Sequence, residues 1–268
     1  MIKTNFHTHT LYCDGKNTVE EMVSSAIEKK FTALGFSGHG ALDGCYDWSM
    51  TEEVEKEYFK SVNRAKAKYI NQIEIYCGLE QDYFSNKPTI TPDYIIGSVH
   101  RLNVKNVWLN VDTSAKEVEI FLKEIFNGNF NLYAKEYFNL VSRIVDRTEA
   151  DVIGHFDLIT KYSEILGFKL SDEYFEYAEN AVKYLAKCNK PFEINTGAMA
   201  RGFKSTPYPS QEILKMIRSN GASIMINSDC HDKNFIDYGF DVAEEIAKKI
   251  GFKTHAILSK DGIKSIPF

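Results

Sequence analysis

Short apolar runs recur along the chain, and each stops at a polar residue able to donate a lone pair. The run Ala33-Leu34-Gly35-Phe36-Ser37, within 31–40, is followed closely by His39. The same pattern recurs at 2–7, 73–80, 94–100, 151–155, 192–195, 222–229 and 253–258, all short and rich in β-branched or aromatic residues. These runs predict strands. Between them lie segments with helix start signals, Thr18-x-x-Glu21, Ser114-x-x-Glu117 and Asp241-x-x-Glu244, each matching a reciprocal capping box. Gly221 and Gly251 stand where helices should stop. Strand and helix therefore alternate, which predicts an α/β fold of parallel strands with helices packed outside.

One interval breaks the alternation. From about 102 to 149 the sequence predicts mainly helix, with apolar residues at helical spacing over 115–127 and 132–147. It is read as an excursion over the mouth of a barrel. Its aromatics Phe126, Phe130, Tyr133 and Tyr137 can roof a pocket or pack in the core, the commoner use of such a stripe. No linker, charge block or repeat marks a second domain, so residues 1–268 are expected to form one domain.

Composition narrows the function. Hydrophobic residues make up 44% and charged residues 26%, an ordinary soluble mixture. Asp and Glu outnumber Lys and Arg by 37 to 32, which argues against nucleic acid as the main partner. A small acidic substrate fits, because a few arginines and bound cations can reverse the potential of one pocket. The absence of a membrane-length apolar run or a signal-peptide pattern, with five scattered cysteines lacking a CxxC pair, predicts a cytoplasmic protein with reduced thiols. Oligomeric state is not legible.

The candidate chemistry lies in the histidines. Six of seven (His7, His9, His39, His100, His155 and His231) fall at or just beyond a predicted strand end, while His255 lies inside the last run and reads as structural. In parallel barrels the C-terminal strand ends share one mouth, so these residues converge. His7-Thr8-His9 puts two imidazoles on one face of a strand and can grip one cation. Ser228-Asp229-Cys230-His231 repeats that spacing with a carboxylate and an imidazole. Glu80 ends an apolar run and can bridge two cations, or it can cap a helix. Asp14, in Cys13-Asp14-Gly15, fits a turn and a ligand about equally.

These residues form an ordered set. Phe6-His7-Thr8-His9-Thr10, Ser37-Gly38-His39-Gly40, Gly78-Leu79-Glu80, Ser98-Val99-His100, Gly154-His155-Phe156-Asp157 and Ser228-Asp229-Cys230-His231 resemble, in order, the motifs of the polymerase and histidinol phosphatase (PHP) family. The contexts of Glu80, His155 and Asn195-Thr196-Gly197-Ala198-x-x-Arg201 look most like its monofunctional histidinol-phosphate phosphatases. The resemblance implies a distorted TIM-like (β/α)7 barrel with a centre of three divalent metal ions, Zn, Mn or Fe, at the C-terminal strand ends. By family pattern the first ion takes His7, His9, Glu80 and Asp229; the second shares Glu80 and adds His100 and His155; the third takes Asp14, His39 and His231. Asp14 stands where some relatives have histidine, and Ser37-Gly38-His39 replaces a common turn of an acidic residue and histidine.

The implied reaction is hydrolysis of L-histidinol phosphate to L-histidinol and phosphate, a step of histidine biosynthesis. Cations there activate water and stabilise the departing alkoxide, with Asp229 handling protons beside His231. Arg201, then Arg101, then Lys161 are the candidates for phosphate, Arg for its planar fork. Asp43, Gln81 and Asp82, with Asp157, are candidates for the substrate's ammonium and imidazole, or for holding ligands and capping helices. Another small phosphomonoester or a nucleotide is the alternative substrate. An amidohydrolase-type zinc enzyme also begins with HxH, but the Glu80 and Asp229 contexts fit it poorly. A phosphodiesterase lacks its nucleic-acid track here, and a non-catalytic metal scaffold would have lost ligands.

Overall fold

The computed structural model describes residues 2–268. Twelve strands follow one another among them: β1 Thr4–Asn5, β2 Ala33–Phe36, β3 Glu74–Cys77, β4 Leu79–Asp82, β5 Ile95–Ser98, β6 Arg101–Val104, β7 Val107–Asn110, β8 Val152–Ile153, β9 Phe192–Asn195, β10 Ile224–Asn227, β11 Thr254–Ser259 and β12 Gly262–Pro267. Eight form two parallel sheets, one in the order β1-β2-β3 and one in the order β10-β9-β8-β5-β4. Isolated parallel bridges join the two sheets: Thr8, beyond the edge strand β1, with Cys230, beyond β10, and His39, beyond the central strand β2, with Glu80 of β4. The fold is α/β with parallel strands, as the alternation predicts.

The break between the sheets has a local cause. The predicted run 73–80 is two strands, β3 and β4, separated by Gly78. A side chain there would collide with the Tyr94 ring, since a Cβ on Gly78 would lie 2.4 Å from Cε1. Gly35 leaves room on the other side, where a Cβ would lie 2.4 Å from the Tyr94 hydroxyl. Tyr94 thus lies between two strands that lack side chains facing it, with its hydroxyl 2.6 Å from the Phe6 carbonyl and 3.1 Å from that of Phe36.

Period-two alternation divides the buried residues between the two sheet faces. Phe6, Ala33, Tyr76, Tyr94, Ile96, Val152, Met225, Ala256 and Leu258 form one cluster, nearly one residue from each strand run. Leu34, Phe36, Ile194, Ile224 and Ile226 belong to a larger one with the apolar faces of the helices, including Met22, Val62, Val182 and Ile217. Between β1 and β10 side chains replace the ladder: Asn227 Oδ1 accepts the Phe6 N–H at 2.9 Å, and Asn5 Nδ2 donates to Ser228 Oγ at 2.6 Å.

Several expected details are corrected. The run 253–258 is not a member of the parallel sheets: β11 pairs only with β12, antiparallel, and that last strand is too polar and exposed to announce itself. Ala256 and Leu258 still join the inner cluster. Thr18 makes the full reciprocal box and Ser114 accepts the Glu117 N–H, but Asp241 caps nothing, because helix Phe240–Ile250 starts directly after Gly239. Both expected glycine stops hold: Gly251 is a left-handed cap at φ +106°, and Gly221, at φ +72° directly after the C-cap Asn220, closes the other helix with its N–H on the Arg218 carbonyl at 3.0 Å and the Ala222 N–H on the Ile217 carbonyl at 3.2 Å.

The interval 102–149 differs most. It opens with an antiparallel hairpin, β6–β7, before helices Ala115–Phe126, Phe130–Val141 and Ile144–Thr148. Its aromatics pack sideways, Phe126 on Tyr133 and Phe130 on Phe168 and Tyr174, and none of the four lines the main cavity. The helices are therefore outer packing, and from this interval only Asn110 at the end of β7 and the segment just after it reach the cavity. His255 is buried and stacks on Phe268. No helix among the described residues is long and apolar enough to cross a membrane.

Replacing Gly78 with Ala should cost about 1–3 kcal/mol through overpacking against Tyr94, and Tyr94→Phe about 1–2 kcal/mol by stripping a buried carbonyl of its donor. Urea unfolding of both variants checks this. Wild-type stability in Gly78→Ala would show that Tyr94 is free to move.

Candidate metal centre

Glu80 is the middle of the site. Its side chain, next to Leu79 near the start of β4, is 1% exposed. Its Oε2 lies 3.2 Å from His7 Nε2, 3.5 Å from His9 Nε2 and 3.1 Å from His39 Nδ1. Its Oε1 lies 3.3 Å from His100 Nε2 and 2.9 Å from His155 Nε2, and it accepts a hydrogen bond from Ser98 Oγ at 2.6 Å. Five imidazoles from four strand ends converge on one carboxylate.

Two more carboxylates complete the cluster. Asp229 Oδ1 stands 3.2 Å from His9 Nε2, 3.6 Å from His7 Nε2 and 3.5 Å from His231 Nδ1. Its other oxygen, Oδ2, accepts from Arg201 Nη2 at 3.1 Å. Asp229 has φ +50°, a left-handed conformation uncommon outside glycine and enriched at functional sites. Asp14 Oδ2 lies 3.1 Å from His231 Nε2, and Oδ1 lies 3.5 Å from His9 Nδ1 and 3.7 Å from His39 Nε2. Gly197 makes the Asp229–Arg201 pairing possible, because a Cβ there would lie 2.9 Å from Asp229 Oδ2 and 3.0 Å from Arg201 Nη2.

Donor atoms cluster closely enough to hold a cation in three overlapping groups: His9 with Asp14, His39 and His231; His7 with His9 and Asp229; and His39 with Glu80 and His100. His7 Nε2, His9 Nε2, His39 Nδ1 and Glu80 Oε2 are buried without a hydrogen-bond partner. Buried polar atoms normally have partners, so lone pairs left facing one another are what a cation would satisfy.

The electrostatics are those of a crowded, mutually charged cluster. Burial opposes the ionised form of Glu80, yet His7, His100 and His39 together hold its pKa well below the usual carboxylate range. Asp229 is likewise held well down against burial, by Arg201 and His7 first. Burial pushes the His39 pKa down to about 3 and lowers that of His9. His7 and His100 go the other way: burial opposes their charge, but Glu193 and Glu80 for the one, and Glu80 and Asp82 for the other, raise both well above the ordinary value.

The candidate residues for substrate separate sharply. Arg201 and Lys161 line the cavity, which measures about 600 Å³, beside Asp14, His39, Glu80, His100, His155, Asp229 and His231. Arg101 does not line it; its guanidinium stacks on Trp108 at 4.3 Å and donates to Cys45 Sγ. Asp82 is buried beneath His100, whose N–H it accepts at 2.7 Å, and Gln81 is buried against Gly40. Asp43 is exposed and bonds Tyr46 and Asn86. Asp157 is fully buried and accepts the Ser210 N–H. These last four do not face the cavity, because each is turned into a neighbouring loop or under a strand end.

Sequence reasoning missed Glu193. It is buried in β9 and holds His7 Nδ1 at 2.7 Å, the His155 N–H at 2.9 Å and the amides of Asn195 and Asn227, both at 2.9 Å. A carboxylate on the far nitrogen of a ligand imidazole fixes its tautomer and ring orientation. The signal was present, since an acid inside the apolar run Phe192–Asn195 is the same feature that marks Glu80. Trp48, edge-on to His39 at 4.8 Å, and Asp112 were missed too, and no periodicity marks either.

Parallel strands with functional side chains at their C-terminal ends define a familiar class of α/β proteins. Within it, this chain belongs to the PHP domain family, whose sequence profile matches residues 5–197. Asp229 and His231 lie beyond that match, but full-length relatives cover them. A Schizosaccharomyces pombe protein named "Probable histidinol-phosphatase" is 27% identical over 95% of this chain and 89% of its own length. The Bacillus subtilis histidinol-phosphatase is 22% identical over 90% and 98%. Two solved structures share the fold: a Listeria monocytogenes protein assigned as a histidinol phosphatase, with TM-score 0.79 and 23% identity over 90% of this chain and 99% of that one, and the Lactococcus lactis histidinol phosphate phosphatase, solved with zinc, L-histidinol and phosphate, with TM-score 0.75 and 22% identity over 98% of both.

Glu193→Gln should lower the pKa of His7 in the metal-free protein, because burial stays while the nearest carboxylate loses its charge. Imidazole NMR titration of the two proteins reads this. A His7 resonance that titrates unchanged would remove Glu193 from the account of the site.

Proposed function

We propose that this chain is a metal-dependent phosphomonoesterase that hydrolyses L-histidinol phosphate to L-histidinol and phosphate, as a step of histidine biosynthesis. The observation that carries the reading is Glu80, whose two buried oxygens lie 2.9–3.5 Å from five imidazoles between them. The names of its relatives supply the substrate. The bridges His39–Glu80 and Thr8–Cys230 support closure of the two sheets into one distorted (β/α)7 barrel, with the whole chain as a single domain.

The donor set fits divalent cations, since mixed imidazole and carboxylate ligands suit Zn, Mn and Fe. One would be held by His7, His9, Asp229 and Glu80, a second by Glu80, His100 and His155, and a third by Asp14, His39 and His231. The groupings of donor atoms support the first and third sets most directly; His155 comes to the second through its 2.9 Å approach to Glu80. When bound, such ions lower the pKa of water, neutralise phosphate oxygens and stabilise a departing alkoxide.

The chain's own groups do the rest. Arg201 offers its guanidinium to phosphate oxygens, with Nη2 on Asp229 and Nη1 3.0 Å from His231 Nδ1, so its fork is already oriented. Lys161 supplies a second positive charge to the cavity. Asp229 Oδ1, free of the arginine, accepts the proton of the attacking water, and His231 stands beside it. Glu193, Asp82 and Ser98 hold His7, His100 and Glu80 in place. Five unpaired cysteines support a reducing, cytoplasmic setting.

Two results test this. Phosphate release should favour L-histidinol phosphate over other phosphomonoesters and diesters by roughly 100-fold in kcat/KM, vanish on chelation and return with Zn or Mn. An even rate across the panel would keep the metal centre and discard the substrate, and amide or lactone hydrolysis alone would point to the amidohydrolase chemistry. Asp229→Asn should lose about 10²–10⁴ in kcat. A variant with wild-type kcat and metal content would end its assigned role.

A further inference from the structure

The cavity has a second polar wall, which adjoins the His100 strand end. The end of β7 and the segment after it contribute Asn110, Asp112 and Thr113 to the lining. It is tied directly to a strand end of the site: Asn110 pairs with Arg101 in the hairpin, and the Val111 N–H donates to the His100 carbonyl at 2.9 Å. Asp112 is therefore held beside the His100 strand end of the cavity by backbone bonds.

Asp112 faces two ways. Its carbonyl accepts from Lys161 Nζ at 2.9 Å and from the Tyr162 hydroxyl at 2.8 Å, and its Oδ2 accepts from Lys161 Nζ at 3.3 Å. Lys161 is enclosed, with 9% of its side chain exposed, and rests over the rings of Phe203 and Tyr162 at 5.0 and 5.5 Å. Asp112 keeps 30% of its side chain exposed, and its Oδ1 takes no protein hydrogen bond among the described residues. A free carboxylate oxygen beside a phosphate site repels an ester whose only charge is its phosphate. It attracts an ester that also carries a cation near the scissile bond.

We propose that Asp112 is a specificity-determining residue, which accepts a hydrogen bond from an ammonium group on the leaving alcohol of a phosphomonoester. The assignment rests on the phosphomonoesterase reading above and deepens it. Lys161 neutralises one oxygen from behind and fixes the carboxylate, so the other oxygen is aimed and its ordering cost is already met. Substrates are thus selected as zwitterions, phosphate toward Arg201 and the strand ends, ammonium toward Asp112.

The test compares L-histidinol phosphate with its deamino analogue, 3-(imidazol-4-yl)propyl phosphate. Wild type should favour the ammonium ester by roughly 10- to 100-fold in kcat/KM, the usual worth of a hydrogen bond between charged groups, mostly through KM. Asp112→Asn should bring the ratio close to one while the deamino ester keeps its rate within about twofold, and Asp112→Glu should retain part of the preference. Equal losses on both esters in Asp112→Asn, or an undiminished preference, would overturn the proposal and leave Asp112 as a support for Lys161. If wild type hydrolyses neither ester, the substrate assignment falls, and the Asp112 proposal is read in the same way on 2-aminoethyl phosphate against ethyl phosphate. A protein that hydrolyses no phosphomonoester overturns both.

Discussion

A carboxylate removed from water must be compensated, and around Glu80 the groups gathered to do so, with any cation they share, are imidazoles rather than a lysine or arginine. Burying an uncompensated ion costs several kcal/mol, so the strand ends that carry His7, His9, His39, His100 and His155 cannot drift from it independently. The surroundings enforce the same convergence. Ser98 hydrogen-bonds the carboxylate, and Gly154 lets the neighbouring strand approach, since a Cβ there would lie 2.4 Å from Ser98 Oγ. Gly78 allows the chain to change sheets one residue before Leu79 and Glu80.

That cluster rests on a dry base. The inner apolar group from Phe6 to Leu258 packs on the same side of the sheets as Tyr94, whose hydroxyl reaches the carbonyls of Phe6 and Phe36 just before the ligand turns. Close packing transmits position, so strand ends mounted on it hold their side chains more firmly than loops would. Where β1 meets β10 the ladder gives way to Asn5 and Asn227, and Asn227 also donates to Glu193. One amide therefore links the junction of β1 and β10 to the carboxylate that holds His7.

Charge is balanced locally rather than across the surface. The chain as a whole is acidic, by 37 to 32, yet Arg201 and Lys161 both face the cavity, each with a carboxylate partner, Asp229 and Asp112. An arginine paired in this way keeps a fixed orientation, so in the proposed reaction a phosphate would meet donors already arranged. Such pairing suits a small polar ester better than a long polyanion, which would need positive charge extending beyond one pocket.

Local pattern was enough to find the apolar runs, the box at Thr18 and the residues that stop each run, because alternation and lone-pair donors are properties of a few adjacent positions. It therefore exposed six of the histidines, Glu80, Asp14 and Asp229, and the family resemblance that orders them. It did not expose the β6–β7 hairpin, the outward packing of the helices after it, or the antiparallel pairing of β11, since each depends on partners distant in the chain. The same reason explains why Gln81, Asp82 and Asp43 looked like pocket residues beside their motifs. Adjacency in sequence does not say which way a side chain turns once Asp82 can accept the His100 N–H. Glu193 was visible as an acid inside an apolar run, but its role, like that of Asp112, came from the fold: it stands behind His7 because β9 lies near β1 in space, and Asp112 faces the cavity because Val111 is hydrogen-bonded to His100.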